Sequence, residues 1–199
     1  MTKLIFATNN RHKVEEIQQA IGKQIEVISL EKAGISIDIP EPHDSLEKNA
    51  SEKSATIHQL TGENCFSEDT GLEVMALGGE PGVKSARYAG DEKSFDKNID
   101  KLLAKMGGAQ DRSARFRTII SLIWENQEYL FEGICEGVIL AEKKGTKGFG
   151  YDPVFQPLGT NKTFAEMTME EKNQFSHRKK AADKLILFLH QYGKNTSVH

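Results

Sequence analysis

The sequence has few of the residues that would tie it to export, to a membrane or to a zinc site. Two of its 199 residues are cysteine, Cys65 and Cys135, and they form neither a CxxC pair nor a zinc-ligand spacing. The apolar run from Leu4 to Ala7 is too short for the core of a signal peptide. No window approaches the roughly 18 consecutive apolar residues that a membrane helix needs. We therefore expect a cytoplasmic protein with reduced thiols and no membrane contact.

The chain also has only a small excess of charge of one sign. The chain carries 26 Lys and Arg against 29 Asp and Glu, a formal net charge of −3. This balance gives no general attraction to nucleic acid. The basic run Arg178-Lys179-Lys180 lacks interleaved aromatic residues and is typical of a solvated helix face. Hydrophobic residues make up 38% of the chain, which is enough for a core. We expect a folded protein without a nucleic-acid partner.

Apolar periodicity predicts strands alternating with helices early in the chain and a long hairpin later. Lys3–Ala7 and Ile25–Ser29 have the pattern of strands, with a helix between them. Phe116–Trp124 and Tyr129–Leu140 have the pattern of two long paired strands. This mixture predicts an α/β fold with a partly antiparallel sheet. No linker or repeat divides the chain, so we expect one domain over residues 1–192 and a frayed polar tail over 193–199.

Local signals mark helix ends and one broken strand. Asp44-x-x-Glu47 and Thr168-x-x-Glu171 are capping-box patterns at helix N-termini. Gly107-Gly108 is typical of a helix C-terminus. Between Cys65 and Val74, apolar residues flank a polar group of residues, which predicts a strand interrupted by a functional site.

The first polar segment follows the first strand directly. It reads Thr8-Asn9-Asn10-Arg11-His12-Lys13. A turn from strand to helix presents backbone N–H groups and a positive helix end to an anion, and Lys13 adds a point charge. The segment is not a Walker A loop, because Gly-Lys-Ser/Thr is absent. A phosphate-binding loop and a solvated polar turn both fit this pattern.

The second polar segment is acidic. Glu68 and Asp69 are adjacent within an apolar setting, and Glu41 lies in a proline-flanked segment. Buried carboxylates are costly unless a cation neutralises them, and hard oxygen ligands suit Mg²⁺. The alternatives are a simple turn at Asp69-Thr70-Gly71 and an ordinary loop charge at Glu41.

The third polar region combines a glycine-rich loop, residues 145–152, with Lys172 and Ser176-His177-Arg178. Glycines at positions 148 and 150 free the backbone around Phe149, whose ring has the shape to stack on a base. Lys172 and Arg178 have the charge to meet anions. A hairpin loop with a core phenylalanine, followed by a basic helix face, explains the same residues without a ligand.

Six motifs in order resemble the inosine triphosphate pyrophosphatase family over nearly the whole chain. The pattern T-x-N-x-x-K is matched by Thr8–Lys13, N-A-x-x-K by Asn49–Lys53, D-[ST]-G-L by Asp69–Leu72, G-x-P-G-V-x-S-A-R-Y by Gly79–Tyr88, G-F-G-Y-D-P by Gly148–Pro153, and E-K-N-x-x-S-H-R by Glu171–Arg178. Glu68 departs from the pattern, since the family usually carries Asp there.

The resemblance implies an α/β fold with an elongated mixed β-sheet flanked by helices, and two lobes with an active-site cleft between them. It also implies a homodimer and Mg²⁺-dependent hydrolysis of purine triphosphates with non-standard bases (ITP, dITP and XTP) to the monophosphate and pyrophosphate. By matching position, Asp69 and Lys13 are catalytic and Asp69, Glu41 and Glu68 bind metal. The implied substrate contacts are Thr8, Asn9, Asn10, Arg11, His12, Lys13, Lys53, Thr70, Phe149, Gly150, Tyr151, Asp152, Lys172, His177 and Arg178.

The chemistry explains these charges. Lys13, Lys53, Lys172 and Mg²⁺ would reduce the repulsion between a triphosphate and an attacking water, whose proton Asp69 would accept. Arg178, or a backbone N–H, aimed at position 6 of the base would favour the O6 acceptor of hypoxanthine or xanthine over the amine of adenine. Two alternatives stay open: a pyrophosphatase for modified pyrimidine nucleotides, and a nucleotide sensor that has lost catalysis.

Overall fold

The computed structural model describes residues 2–23 and 25–195. By its internal contacts the chain forms two compact units. Unit 1 comprises Met1–Asp69, Thr118–Gly133 and Arg178–His199, and unit 2 comprises Thr70–Arg117 and Ile134–His177. No helix among the described residues has the length and apolar character to cross a membrane.

The described residues contain strands and helices in mixed order. The strands are β1 (Thr2–Phe6), β2 (Ile25–Ser29), β3 (Cys65–Val74), β4 (Pro81–Gly82), β5 (Ser113–Trp124), β6 (Gln127–Ile139) and β7 (Phe155–Pro157). The α-helices are α1 (Arg11–Ile21), α2 (Leu46–Thr61), α3 (Phe95–Met106), α4 (Met169–Asn173) and α5 (His177–Asn195). Short 3₁₀ helices occupy Met75–Leu77, Ser85–Arg87 and Phe164–Glu166.

The strands form one mixed sheet in the order β2-β1-β3-β5-β6-β7, with β4 paired to β3. Strand β1 is parallel to both β2 and β3, whereas β4 and β7 pair antiparallel with their neighbours. Glu125 and Asn126, both at positive φ, join β5 to β6 in a two-residue turn of the kind that closes hairpins. The mixed sheet and its helices confirm the predicted α/β class and hairpin.

The main core of unit 1 lies where two helices, α1 near the N-terminus and α5 near the C-terminus, pack against the strands. Apolar side chains of α1, such as Ile17 and Ile21, and of α5, such as Leu185, pack with Leu4 and Phe66 of the strands. The rings of Phe6 and Phe66 stack with centroids 4.4 Å apart. The spacing of the apolar residues in α1 and α5 buries one face of each helix, as an amphipathic helix requires.

Unit 2 has a core of its own. Ile99, Leu102 and Met106 line one face of α3 and join a buried cluster with Leu72. Phe116 contributes an edge-to-face contact with Phe155, the centroids being 4.6 Å apart. Each unit therefore buries an apolar cluster within its own residues.

Three local predictions have different outcomes. Strand β3 runs without a break through its polar residues, so the predicted interruption is wrong. Ser45, not Asp44, caps α2 by accepting from the Lys48 N–H, whereas the capping box of Thr168 with Glu171 is confirmed. Helix α5 continues to Asn195, and the rest of the predicted frayed tail, residues 196–199, lies outside the described residues.

Candidate active site

The pleat of β3 separates the two acidic residues that are adjacent in sequence. Successive side chains of a strand point to opposite faces of the sheet. Glu68 contacts Arg178 of α5 and Lys13 of α1, whereas Asp69 contacts Lys53 of α2. The two carboxylates, 1% and 6% exposed, therefore belong to two different ionic clusters.

The first group, which we call the Arg178 cluster, comprises Lys13, Glu16, Glu68 and Arg178. Arg178 donates from Nε to Glu68 Oε2 at 2.6 Å and from Nη2 to Glu68 Oε1 at 2.9 Å. Its Nη1 donates to Glu16. Lys13 Nζ lies 3.1 Å from Glu68 Oε1 and keeps 16% of its side chain exposed. A buried guanidinium thus joins α5 to both β3 and α1, and Lys13 is the member that reaches towards solvent.

The charges of this cluster stabilise one another. Burial opposes ionisation of Glu68, but Arg178 and Lys13 outweigh it and hold the pKa of this carboxyl well below its usual range. Burial likewise opposes the charge on Arg178, and the two glutamates reverse that effect and raise its pKa. Glu68 and Arg178 are therefore both ionised at neutral pH, and the formal charges of the four residues in the Arg178 cluster sum to zero.

The second group, which we call the Lys53 cluster, comprises Glu41, Lys53 and Asp69. Lys53 Nζ lies 2.5 Å from Glu41 Oε1 and 3.2 Å from Asp69 Oδ1. Burial opposes the positive charge of Lys53, but Asp69 and Glu41 outweigh it and raise its pKa. Burial raises the pKa of Asp69, Lys53 and Lys13 act against that rise, and Glu41 adds to it. One ammonium therefore faces two carboxylates, which leaves this cluster one negative charge in excess.

The Lys53 cluster fits a divalent cation. Asp69 Oδ2 is buried and has no hydrogen-bond partner in the structure, and an unsatisfied buried carboxylate oxygen needs a positive partner. Mg²⁺ is typically held by one or two carboxylates and keeps its other positions for water and phosphate. Among residues 2–23 and 25–195, no group of three or more acidic, His or Cys side chains is arranged to hold a metal. The three predicted ligands Glu41, Glu68 and Asp69 are thus not brought together as a set.

The predicted phosphate loop forms the turn between β1 and α1. Asn10 caps α1 by accepting from the Lys13 N–H, and Thr8 Oγ1 accepts from the Asn10 N–H at 3.2 Å. Asn9 Nδ2 donates to the carbonyl of Ile37 at 2.8 Å. Arg11 and His12 are exposed on the first turn. The loop is fixed by its own side chains, with the N-terminus of an eleven-residue helix behind it.

A groove of about 890 Å³ runs beside this loop in unit 1. Thr8, Asn9 and Arg11 line one side, and the segment from Gly34 to Asp38 lines the other. Three predicted substrate residues therefore share one open surface next to the helix end.

Unit 2 contains the predicted substrate residues of the glycine-rich loop together with Lys172 and His177. Lys172 Nζ donates to Asp152 Oδ2 at 2.7 Å, and the Phe149 N–H donates to the same oxygen at 3.0 Å. The ammonium lies 5.5 Å from the centre of the Phe149 ring. A side chain at position 148 would overlap the Asp152 carboxylate, and the backbone there is at φ +74°, so glycine is required. This buried ion pair fixes the half-buried Phe149 ring in its loop.

The remaining predicted residues of unit 2 have structural contacts as well. His177 is buried and stacks on Phe116 with centroids 4.6 Å apart. The Tyr151 hydroxyl donates to the Ser85 carbonyl at 2.8 Å. Gly150, at φ +62°, completes the turn, and Thr70 is half-buried in β3.

Two findings depart from the sequence-based expectations. Arg178 was predicted to read position 6 of a base, but its guanidinium is 2% exposed and directed at Glu68 and Glu16. Glu16 was not predicted at all, although it is 4% exposed in the middle of α1. Its position, one turn after Lys13 and beside the buried Ile17, is the only sign in the sequence that this charge lies on the core side of the helix.

Comparison with known proteins agrees with this architecture. The model of the Ham1 family matches residues 4–188. The chain belongs to the Ham1 family. The dITP/XTP pyrophosphatase of Flavobacterium johnsoniae is 49% identical over 184 residues, which cover 92% of this chain and 96% of the relative. That of Christiangramia forsetii is 49% identical over 187 residues, covering 94% and 98%.

A solved Ham1 structure has the same fold. The Staphylococcus aureus Ham1 protein superposes with a TM-score of 0.87 at 38% sequence identity, covering 96% of this chain and all of that one. Family membership therefore rests on sequence and on structure alike, and the Ham1 relatives extend over almost the full length of the chain.

Proposed function

We propose that this chain is a nucleoside triphosphate pyrophosphatase that hydrolyses ITP, dITP and XTP to the monophosphate and pyrophosphate in the presence of Mg²⁺. The names of the Ham1 relatives, dITP/XTP pyrophosphatases, support the reaction and the substrate class. The homodimer and the cytoplasmic location stay predictions.

The observation that carries the proposal is the state of Asp69. Its carboxylate is buried, one oxygen is paired to Lys53, and the other has no hydrogen-bond partner. A protein keeps such an oxygen at a cost of about 1–3 kcal/mol unless a ligand completes it. A Mg²⁺ ion held by Asp69 and Glu41 would screen the phosphate charge and make a bound water more acidic.

Each of the two units carries residues that suit one part of the substrate. In unit 1, Lys13 and Lys53 bring positive charge to the triphosphate, and the loop Thr8–Asn10 offers it the N-terminus of α1. In unit 2, Phe149 offers a ring face to the base, while Lys172 and Asp152 offer a donor and an acceptor that are already fixed to each other. We assign His12, Thr70 and His177 to substrate contacts by motif position alone.

Asp69 is the residue that we assign as general base. It accepts the proton of the water that attacks the α-phosphorus, and pyrophosphate leaves with the electron pair of the broken P–O bond. Burial and Glu41 raise the pKa of Asp69, which makes it a stronger base than an exposed aspartate. Lys13 is placed to stabilise the negative charge that develops on the phosphates.

Glu68 and Arg178 receive a different assignment from the one that the sequence predicted. Both Glu68 oxygens bind Arg178, so we assign Glu68 to holding Lys13 in position rather than to holding the metal. Arg178 then acts as the anchor of this arrangement, and selection at position 6 of the base rests on the residues of unit 2 or on backbone groups.

The test is pyrophosphate release from ITP, dITP, XTP, GTP, ATP and pyrimidine triphosphates with Mg²⁺. We expect release from the first three, little from ATP, and loss of activity with EDTA. Asp69→Asn should lose activity, whereas Asp44→Asn, which changes an aspartate that is 93% exposed, should keep it. Pyrophosphate release from modified pyrimidine nucleotides alone would show that these, and not purine nucleotides, are the substrates. Binding of ITP without pyrophosphate release would favour a nucleotide sensor.

A further inference from the structure

Lys53 occupies an unusual position for a lysine. It projects from the middle of α2, its side chain is 8% exposed, and its ammonium contacts Glu41 and Asp69 together. Lysine is almost never buried unless it is paired. Here the pairing is with the two carboxylates that we assign to a divalent cation.

The charges of the cluster show what the ammonium does there. Without Lys53, the carboxylates of Glu41 and the buried Asp69 would lose the ammonium that contacts them both, and their mutual repulsion would be less compensated. An ammonium is a compact point charge with three donors, so it supplies a single charge to two acceptors. It uses Oδ1 of Asp69 and leaves Oδ2 without a partner. A single positive charge therefore compensates the carboxylate pair only in part.

We propose that Lys53 is the resident counter-ion of the Glu41–Asp69 pair and that its ammonium gives way when a divalent cation binds there. The inference rests on the proposed function, because it uses the metal site named above. It goes further by giving one residue two alternating partners: the carboxylates when no divalent cation is bound, and the phosphates of the substrate when one is bound.

This exchange has a clear consequence for metal affinity. A positive charge that must be displaced weakens the binding of any cation that competes for the same oxygens. The other buried lysine pair offers the comparison. Lys172 Nζ lies 2.7 Å from Asp152 Oδ2 within unit 2, and among the described residues the unsatisfied buried carboxylate oxygen belongs to Asp69 and not to Asp152. Removing Lys53 should therefore tighten metal binding, and removing Lys172 should not.

The experiment measures Mn²⁺ binding to the nucleotide-free protein by electron paramagnetic resonance. Lys53→Met, which keeps the length of the side chain without its charge, should bind Mn²⁺ about ten-fold more tightly than the wild type, a difference of about 1.4 kcal/mol. Lys53→Arg and Lys172→Met should bind Mn²⁺ no more tightly than the wild type does. The double variant Lys53→Met/Asp69→Asn should lose the roughly ten-fold gain in affinity. An unchanged or weaker affinity in Lys53→Met would overturn the inference.

A second measurement uses the wild-type chain and does not depend on the folding of a variant. In ¹⁵N-labelled protein, the NH₃⁺ resonance of Lys53 should shift as Mg²⁺ is added, while that of Lys172 stays in place. A Lys53 resonance that does not respond while Mn²⁺ binds also contradicts the exchange. Pyrophosphate release by the wild type distinguishes the proposed function from the proposed exchange. If the wild type hydrolyses the substrate but the Lys53 resonance does not respond to Mg²⁺, the exchange is wrong and the proposed function is unaffected.

Discussion

The substitution Arg178→Met tests whether the Arg178 cluster holds unit 1 together. Methionine keeps much of the apolar stem and removes the guanidinium. The charge-assisted hydrogen bonds that Arg178 donates to both oxygens of Glu68 and to Glu16 disappear. Both glutamates stay buried, at 1% and 4% exposure, and Lys13 is left as the cation in contact with Glu68.

The expected loss of folding stability in Arg178→Met follows from the burial of the two glutamates. Removing one partner of a buried ion pair leaves an uncompensated charge and costs about 3–5 kcal/mol. Arg11→Met provides the matched control in the same unit, because Arg11 lies 3.8 Å from Glu31 with both side chains about four-fifths exposed. An exposed pair of this kind contributes about 0–1 kcal/mol. The structure therefore predicts a clear separation between two substitutions of the same chemical type.

The assay is urea denaturation at pH 7, followed by the fluorescence of the single tryptophan, Trp124, which packs against the unit 1 core. The measurement should then be repeated at pH 5. In the wild type the pKa of Glu68 is lowered, so its contribution to stability is fully present at both pH 7 and pH 5 and is lost only as the pH falls below the unfolded glutamate pKa of about 4.3. Removing Arg178 takes away a charge that opposes the effect of burial, so the pKa of Glu68 should rise from its wild-type position and the difference in stability between the two proteins should narrow as the pH falls. If the free energy of unfolding falls no further in Arg178→Met than in Arg11→Met, the reasoning is refuted.

Three further predictions follow from the same contacts. In the metal-free protein the pKa of Asp69 should lie above the ordinary aspartate value of about 3.9, because burial and Glu41 raise it; Glu41→Gln should lower that pKa in an NMR titration of the side-chain carboxyls, and a pKa that does not move would argue against this coupling. Gly148→Ala should raise KM, because its Cβ would overlap the Asp152 carboxylate, whereas Gly150→Ala meets open space and should change KM less; equal effects would point to backbone strain alone. Both cysteines are buried, so the native protein should react slowly with a thiol reagent and the unfolded protein at once, and fast native labelling would contradict the packing.

The parts of the fold that sequence predicts well are those fixed by neighbouring residues. The apolar runs of β1 and β2 and the alternating pattern of β5 correspond to strands, because strand periodicity and burial are read over a few residues. The Thr168 capping box is equally local. The Asp44 pattern is wrong because Ser45, one residue later, supplies the cap instead, and helix ends shift by one residue at little cost.

The parts of the site that sequence does not predict are those made by contacts across the chain. Arg178 lies 110 residues from Glu68 and 162 from Glu16 in sequence, so no spacing rule links them. The motif match implies a metal ligand at Glu68 and a substrate contact at Arg178, and neither role indicates that the two side chains contact each other. Glu16 lies in none of the six motifs. Its role becomes visible only in the structure, where it accepts a hydrogen bond from the buried guanidinium of Arg178.

The pleat of β3 explains why the adjacent pair Glu68-Asp69 performs two tasks instead of one. Two neighbouring carboxylates on one side of a turn would form a single metal centre, but in a continuous strand they face opposite sides of the sheet. On one side the Arg178 cluster has two positive and two negative charges and needs no further cation. On the other side the Lys53 cluster has one positive and two negative charges, with one carboxylate oxygen unsatisfied. We therefore place the proposed divalent cation on the side of Asp69, and we propose that Glu68 holds Lys13, the lysine that we assign to the phosphates.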